Sequence, residues 1–195
     1  TVSRWFNGVS AMLDDTAVER VKALPFVREI RPVATFTGRP EPDKEMPVDG
    51  VGRAAALSYG ESFEQLNMIK VALLHRLGYF GSGVRIAVLD SGYDRLGHAA
   101  FDSTSIVERW DFVDGDGDVG GDDHGTQVLS ILAALDPGEM MGAAPYADYL
   151  LARTEVVDGS KDHRYEEDYW VAGVEWADSL GADIVNSSLG YTTFA

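Results

Sequence analysis

The sequence predicts an α/β fold with a parallel sheet, and two observations support this. Short apolar runs of strand length alternate along the chain with segments whose apolar residues recur at helical spacing. Glycine and small polar residues follow several of these runs, as they do at the ends of strands. No apolar run approaches the roughly 18 to 20 residues that cross a bilayer. Because strands joined through helices make right-handed crossovers, we expect a parallel sheet covered on both faces.

The first 37 residues predict a small α+β unit of their own. Residues 5–13 alternate between apolar and other side chains, which is typical of a half-buried strand. Asp14 and the two residues after it are candidate N-caps for a short helix that Pro25 ends. A second strand is expected over residues 26–33. Residues 38–58 follow as a linker, because their first part is rich in proline and in charges of both signs.

The main unit is expected to span residues 59–195. It begins with a predicted helix that runs from Tyr59 to Leu77, before Gly78. Apolar runs then predict strands, and amphipathic or apolar segments predict helices, in alternation. The predicted strands are 84–89, 147–152 and 182–188, and the predicted helices are 126–135 and 165–180.

Charge and composition exclude several classes of protein. The 195 residues carry 16 basic and 32 acidic side chains, for a formal net charge of −16. Such a chain repels nucleic acids and anionic membrane surfaces, whose binding depends on Lys and Arg. The absence of cysteine excludes a disulfide scaffold, a thiolate zinc site and a cysteine nucleophile. The chain begins at Thr1 without a basic and apolar leader, so we expect any signal peptide to be absent from this sequence.

Three polar segments lie where a parallel sheet collects its chemistry, at the carboxyl ends of strands. Asp90 directly follows the first strand of the main unit, within Asp-Ser-Gly. His124 opens a helix and is followed by a glycine that permits close backbone approach. Residues 186–190, Asn-Ser-Ser-Leu-Gly, leave the last strand and can expose backbone groups to an extended peptide.

Together these segments resemble the motifs of the subtilisin-like serine proteases. Val-Leu-Asp-Ser-Gly at 88–92, His-Gly-Thr at 124–126 and Ser-Leu-Gly at 188–190 occur in the family's order. The resemblance implies a doubly wound parallel sheet of subtilisin type, truncated here, and a serine endopeptidase with an Asp-His-Ser triad. Asp90 would orient His124, and His124 would act as the general base. Ser188, Leu189 and Gly190 would bind substrate as a strand, opposite residues 155–159.

The resemblance also implies what this chain lacks and how it is processed. The family's Gly-Thr-Ser type motif does not occur in the sequence, so we expect the nucleophilic serine beyond residue 195 and an inactive fragment. Residues 1–37 resemble the end of an inhibitory propeptide, which would be an intramolecular partner of the peptidase domain. The linker 38–58 would contain the processing site. The other partners expected are protein or peptide substrates, with no nucleic acid and no membrane span.

Two other functions remain open from the residues alone. Asp90, Asp122, Asp123, His98 and His124 offer oxygen and nitrogen ligands for a metal-dependent hydrolase. A non-catalytic pseudoprotease or interaction module would keep the fold without the serine. The protease needs no cofactor. Residues 114–118 do not fit the EF-hand pattern, yet calcium is a candidate structural ion. We expect a secreted or periplasmic, acidic protein.

Overall fold

The computed structural model describes residues 2–32, 58–159 and 162–191. Short strands and helices precede a larger α/β unit. In chain order the described elements are β1 (Val2–Ser3), β2 (Gly8–Val9), α1 (Asp15–Lys22), α2 (Phe63–Met68), α3 (Val71–Arg76), β3 (Arg85–Asp90), β4 (Ser105–Asp111), α4 (His124–Ala133), β5 (Leu135–Asp136), β6 (Met140–Met141), β7 (Asp148–Arg153), α5 (Arg164–Ser179) and β8 (Ile184–Ser187).

Four strands form one parallel sheet in the order β4-β7-β3-β8. The register pairs Asp90 at the end of β3 with Arg153 at the end of β7, and Asp111 of β4 lies opposite Arg153 on the other side. Leu89 pairs with Ser187, the last residue of β8. The carboxyl ends of all four strands therefore meet at one edge of the sheet, which is the edge where parallel α/β proteins place their chemistry.

Both faces of the sheet are covered. Successive side chains of β3 point to opposite sides, and each set packs against a different helix. Ile86 and Val88 pack with Leu129 of α4 in one cluster. Ala87 and Leu89 pack in a second cluster that contains Ala177 of α5. The two helices thus lie on opposite faces, which confirms the predicted α/β class. Among the described residues, no helix combines the length and the apolar character needed to cross a membrane.

The predicted helix between Tyr59 and Leu77 is two helices, α2 and α3. Lys70 lies between them with a φ of 67°, a left-handed conformation that a continuous helix does not contain. The break lets Leu66 and Ala72 join one buried cluster with Met141. Strand β4 was not predicted at all, because most of its side chains are exposed and its apolar pattern is weak.

The N-terminal region has a different strand arrangement from the one predicted. Residues 5–13 do not form one strand, since β1 and β2 pair as a hairpin across residues 4–7. Asn7 has a φ of 49° and precedes Gly8, an Asn-Gly pair that favours a hairpin turn. Residues 26–32 form no strand, and the rest of that predicted strand and most of the linker lie outside the described residues. Helix α1 is present, and the side chain of Asp14 accepts a hydrogen bond from the Ala17 amide as its N-cap.

Candidate active site

A hydrogen bond joins the two motifs that the sequence placed at the sheet edge. The Nδ1 atom of His124, at the start of α4, lies 2.7 Å from Oδ1 of Asp90, at the end of β3. Asp90 is completely buried, whereas about half of the His124 side chain is exposed. An ionised carboxylate only accepts hydrogen bonds, so Nδ1 donates and the other ring nitrogen, Nε2, keeps its lone pair in the neutral ring. The pair therefore presents a base to solvent.

Two glycines allow this approach of helix to strand. A Cβ atom on Gly125 would lie 2.5 Å from the carbonyl oxygen of Gly92 and 2.9 Å from Cβ of Asp90. A Cβ atom on Gly92 would lie 2.3 Å from the backbone nitrogen of Asp122. Neither position has room for a side chain. Gly92 and Gly125 are thus required for the contact between Asp90 and His124.

Ser91 extends the pair into a small network. Its backbone amide donates to Oδ1 of Asp90 at 2.8 Å, and its hydroxyl lies 2.9 Å from Oδ2 of Asp122. Partial burial acts to raise the pKa of Asp122, but the Ser91 hydroxyl and the backbone amides of Asp123 and His124 hold it below its ordinary value. Asp122 therefore remains an anion, and it lies two residues before the start of α4.

The network also sets the protonation of His124. The hydrogen bond to Asp90 raises the pKa of His124 above its ordinary value of 6.5, and burial opposes this only in part. The negative charges of Asp90, Asp122 and Glu155 act in the same direction as the hydrogen bond. A stronger base results, which favours proton uptake from a nucleophile.

A cleft of about 330 Å³ opens beside His124. One wall, residues 155–159, follows β7, and the other wall, residues 188–190, follows β8. The side chains and backbone that line the cleft come from both walls and from the ends of β3 and α5. The lining residues are Ser91, His124, Glu155, Val156, Val157, Gly159, Asp162, Glu166, Ser188 and Leu189. Gly190 follows Leu189 but is not among the lining residues.

The cleft is acidic. Burial raises the pKa of Glu155 to about 7, and the nearby carboxylates of Glu166, Asp162 and Asp90 add to this effect. Glu155 is half-buried, and the structure shows no hydrogen bond to its carboxyl group among the described residues. A carboxyl group that titrates near neutral pH thus lies in the same cleft as the exposed imidazole.

Arg153 is a site residue that the sequence analysis missed. Its guanidinium donates to Oδ2 of Asp111 at 2.7 Å, to Oδ2 of Asp114 at 2.8 Å and to the carbonyl oxygen of Ser91 at 3.2 Å. It thereby connects the ends of β4, β7 and β3. The sequence offered one signal for it. Arg153 is a basic residue at the end of an apolar run, which is the position that Asp90 has at the end of β3.

The serines near the cleft make other hydrogen bonds. Ser91 donates to Asp122, the hydroxyl of Ser187 accepts from the Trp170 indole at 2.9 Å, and that of Ser188 accepts from the Asn186 amide at 3.1 Å. In the described part of the chain, none of these three hydroxyls is hydrogen-bonded to His124. They therefore provide no nucleophile paired with the base.

The side chains offered as metal ligands have other partners, and Asp123 accepts a hydrogen bond from the Gln127 side-chain amide and pairs with Arg95. Asp90, Asp122 and His124 belong to the hydrogen-bonded network, and His98 accepts from the Ala100 amide. Across residues 2–32, 58–159 and 162–191, no group of three or more His, Asp or Glu side chains is arranged to hold a metal ion. The geometry does not support the metal-dependent hydrolase.

Comparisons with known proteins identify the family of the chain. The subtilase family model, Peptidase S8, matches residues 81–194. Subtilisin E of Bacillus subtilis (strain 168) is 30% identical over 201 residues, covering 97% of this chain and 44% of that protein. Subtilisin of Bacillus pumilus is 33% identical over 149 residues, covering 72% and 47% respectively. Minor extracellular protease Vpr of Bacillus subtilis (strain 168) is 28% identical over 195 residues, covering 95% and 23%.

The matched segment contains Asp90, His124 and both walls of the cleft, and it makes up more than half of the chain. The chain spans less than half the length of these curated relatives. On these grounds the chain belongs to the subtilase family of serine peptidases.

Proposed function

We propose that the protein is a serine endopeptidase in which His124 is the general base and Asp90 orients it. The observation that carries the proposal is the 2.7 Å hydrogen bond between the two side chains, beside a cleft whose two walls are backbone segments without helix or strand. Asp90 keeps the proton on Nδ1, so that Nε2 takes the proton of an attacking serine hydroxyl and returns it to the leaving amine. The buried carboxylate also stabilises the imidazolium that forms in between.

We place the nucleophilic serine in chain beyond residue 195. The sequence has no Gly-Thr-Ser type motif, and the hydroxyls of Ser91, Ser187 and Ser188 are held away from this role by their own hydrogen bonds. Strand β8 supports the same proposal, because Ile184 is 51% and Val185 41% exposed at the sheet edge, where a further strand would cover them. The 195 residues alone would then be inactive.

We propose that Ser188, Leu189 and Gly190 pair with an extended peptide substrate and that residues 155–159 form the opposite edge. Both segments lack regular structure and follow strands, which leaves backbone groups available for pairing. Substrates would be proteins or peptides. The chemistry requires no cofactor, and calcium would act only as a structural ion.

Residues 1–37 would act as a propeptide domain on the peptidase domain, and residues 38–58 would contain the processing site. One contact in the structure is with Glu175 of α5, whose carboxylate accepts hydrogen bonds from the Ser3 hydroxyl and from the backbone amides of Arg4 and Trp5. In the full-length enzyme, replacing the nucleophilic serine by alanine should leave this junction uncut. The relative named an extracellular protease supports secretion or a periplasmic location, reached through a signal peptide outside this sequence.

Covalent labelling tests the proposal. The full-length protein should react with a fluorophosphonate probe at one serine and hydrolyse a peptide, and His124→Ala should abolish both. His98→Ala, which changes a histidine outside the cleft, is the matched control. Activity that a chelator removes and the probe leaves intact would instead indicate a metal-dependent hydrolase. A protein that neither reacts nor cleaves would be a pseudoprotease.

A further inference from the structure

One turn of helix α5 makes hydrogen bonds to both walls of the cleft. Glu166 is almost fully buried at 2% exposure, yet it carries a carboxyl group. Oε1 accepts a hydrogen bond from the backbone amide of Val156 at 2.8 Å, and Oε2 accepts one from the backbone amide of His163. Val156 belongs to the first wall, which has no helix or strand of its own. The carboxylate therefore fixes the backbone of a segment that secondary structure does not fix.

The second wall is attached to the same helix at both of its ends. Ser187 precedes residues 188–190, and its hydroxyl accepts a hydrogen bond from the indole of Trp170 at 2.9 Å. Tyr191 follows them, and its hydroxyl donates to the backbone carbonyl of Glu166 at 3.3 Å. Glu166 and Trp170 are four residues apart, so they lie on one face of α5.

The separation of the two walls matters for an extended substrate. Neighbouring strands lie about 4.8 Å apart, so a peptide that pairs on both sides needs walls held at about twice that distance. An error of about 1 Å at one wall would break one set of backbone hydrogen bonds. A single helical turn that contacts both walls keeps their separation constant.

We propose that Glu166 is a positioning residue for substrate, which sets the first wall against the second so that an extended peptide fits between them. Trp170 supports the second wall in the same way. The inference rests on the proposed peptidase function. It assigns no chemical step to either side chain, because neither contacts the reacting atoms.

The experiment compares Glu166→Gln with wild type in the full-length enzyme. Glutamine has one accepting oxygen and one NH2 group, so it keeps one of the two backbone hydrogen bonds and opposes the other. We expect kcat/KM for a peptide that fills both walls to fall about 10- to 100-fold, mainly through KM. Hydrolysis of a small ester that does not reach the walls should change less than about 3-fold. Glu167→Gln removes the same charge from the next residue and should leave both rates near wild type.

Two further measurements keep the test decisive. Trp170→Phe keeps the aromatic ring but removes the indole donor, and it should reproduce the peptide-selective loss if Glu166→Gln fails to fold. Hydrogen exchange in Glu166→Gln should be faster at the amide of Val156 than in wild type. Equal losses for ester and peptide, or unchanged exchange at Val156, would overturn the proposal. If wild type reacts with neither substrate nor fluorophosphonate, the peptidase function fails, and hydrogen exchange alone still decides whether Glu166 holds the wall.

Discussion

Replacing Glu155 by glutamine should stabilise the protein at alkaline pH and leave its stability at acidic pH unchanged. Burial, together with the neighbouring carboxylates, raises the pKa of Glu155 from 4.5 to about 7. The unfolded chain thus loses this proton at lower pH than the folded protein does. The contribution of the neutral group to stability is complete below 4.5 and is lost as pH rises through about 7. Glutamine stays neutral throughout and avoids the loss.

The pKa change sets an upper limit on the effect. Each pKa unit corresponds to about 1.4 kcal/mol, so a rise from 4.5 to about 7 corresponds to about 3 kcal/mol. Glu155 is half-buried, and solvent screens its interactions with the other carboxylates. We therefore expect Glu155→Gln to gain about 1 to 2 kcal/mol at high pH. For a chain of this size, that gain corresponds to a rise in Tm of roughly 2 to 8 °C.

Thermal unfolding of wild type and variant, at constant ionic strength and at about pH 4 and about pH 9, measures this difference. Glu139→Gln is the matched control, because it removes one negative charge from an exposed residue that does not line the cleft. The reasoning is wrong if the Tm difference between Glu155→Gln and wild type is the same at both pH values. It is also wrong if the variant is the less stable protein at alkaline pH.

Three other changes test the site. Gly125→Ala should lower kcat of the full-length enzyme at least about 100-fold, because the added methyl group forces α4 away from β3 and breaks the hydrogen bond between His124 and Asp90. An unchanged kcat would contradict the packing argument. Arg153→Met should cost about 3 to 5 kcal/mol in denaturant unfolding, since it leaves the buried Asp111 carboxylate without its cation; a loss below about 1 kcal/mol would show the pair to be solvated. Asp90→Asn should lower the pKa of His124 in an NMR titration, because it replaces a charged acceptor with a neutral one and so removes the negative charge that favours the imidazolium; an unchanged titration would place the cause elsewhere.

Most of the α/β unit was predictable because its signals are local. The apolar runs before Asp90 and before Arg153 are uninterrupted, as in strands buried on both faces, and both strands were found. Strand β4 was missed because its side chains are largely exposed and only pairing with β7 makes it a strand. The helix predicted from Tyr59 to Leu77 is two helices, because apolar residues at helical spacing continue past Lys70, whose left-handed conformation separates α2 from α3.

The candidate site was predictable only in part. Asp90 and His124 were selected from their motifs, and their hydrogen bond was expected from the resemblance alone. Arg153 was not selected, because a single charged residue beside an apolar segment is common and its partners lie far away in sequence. The hydrogen bond from Glu166 to the first wall was not predicted either. Asp111 is 42 residues from Arg153, and Val156 is 10 residues from Glu166.

The sequence by itself determined the alternation of strands and helices, the acidic net charge and the two polar motifs that follow strands. These depend on side-chain period, on charge and on the conformational freedom of glycine, and all three are properties of neighbouring residues. Only the tertiary structure decided that Gly92 and Gly125 bring the motifs into contact, that Glu155 is desolvated and that α5 holds both walls of the cleft. Those properties depend on which distant segments pack together, because burial and hydrogen-bond partners are created only when the sheet and its helices assemble.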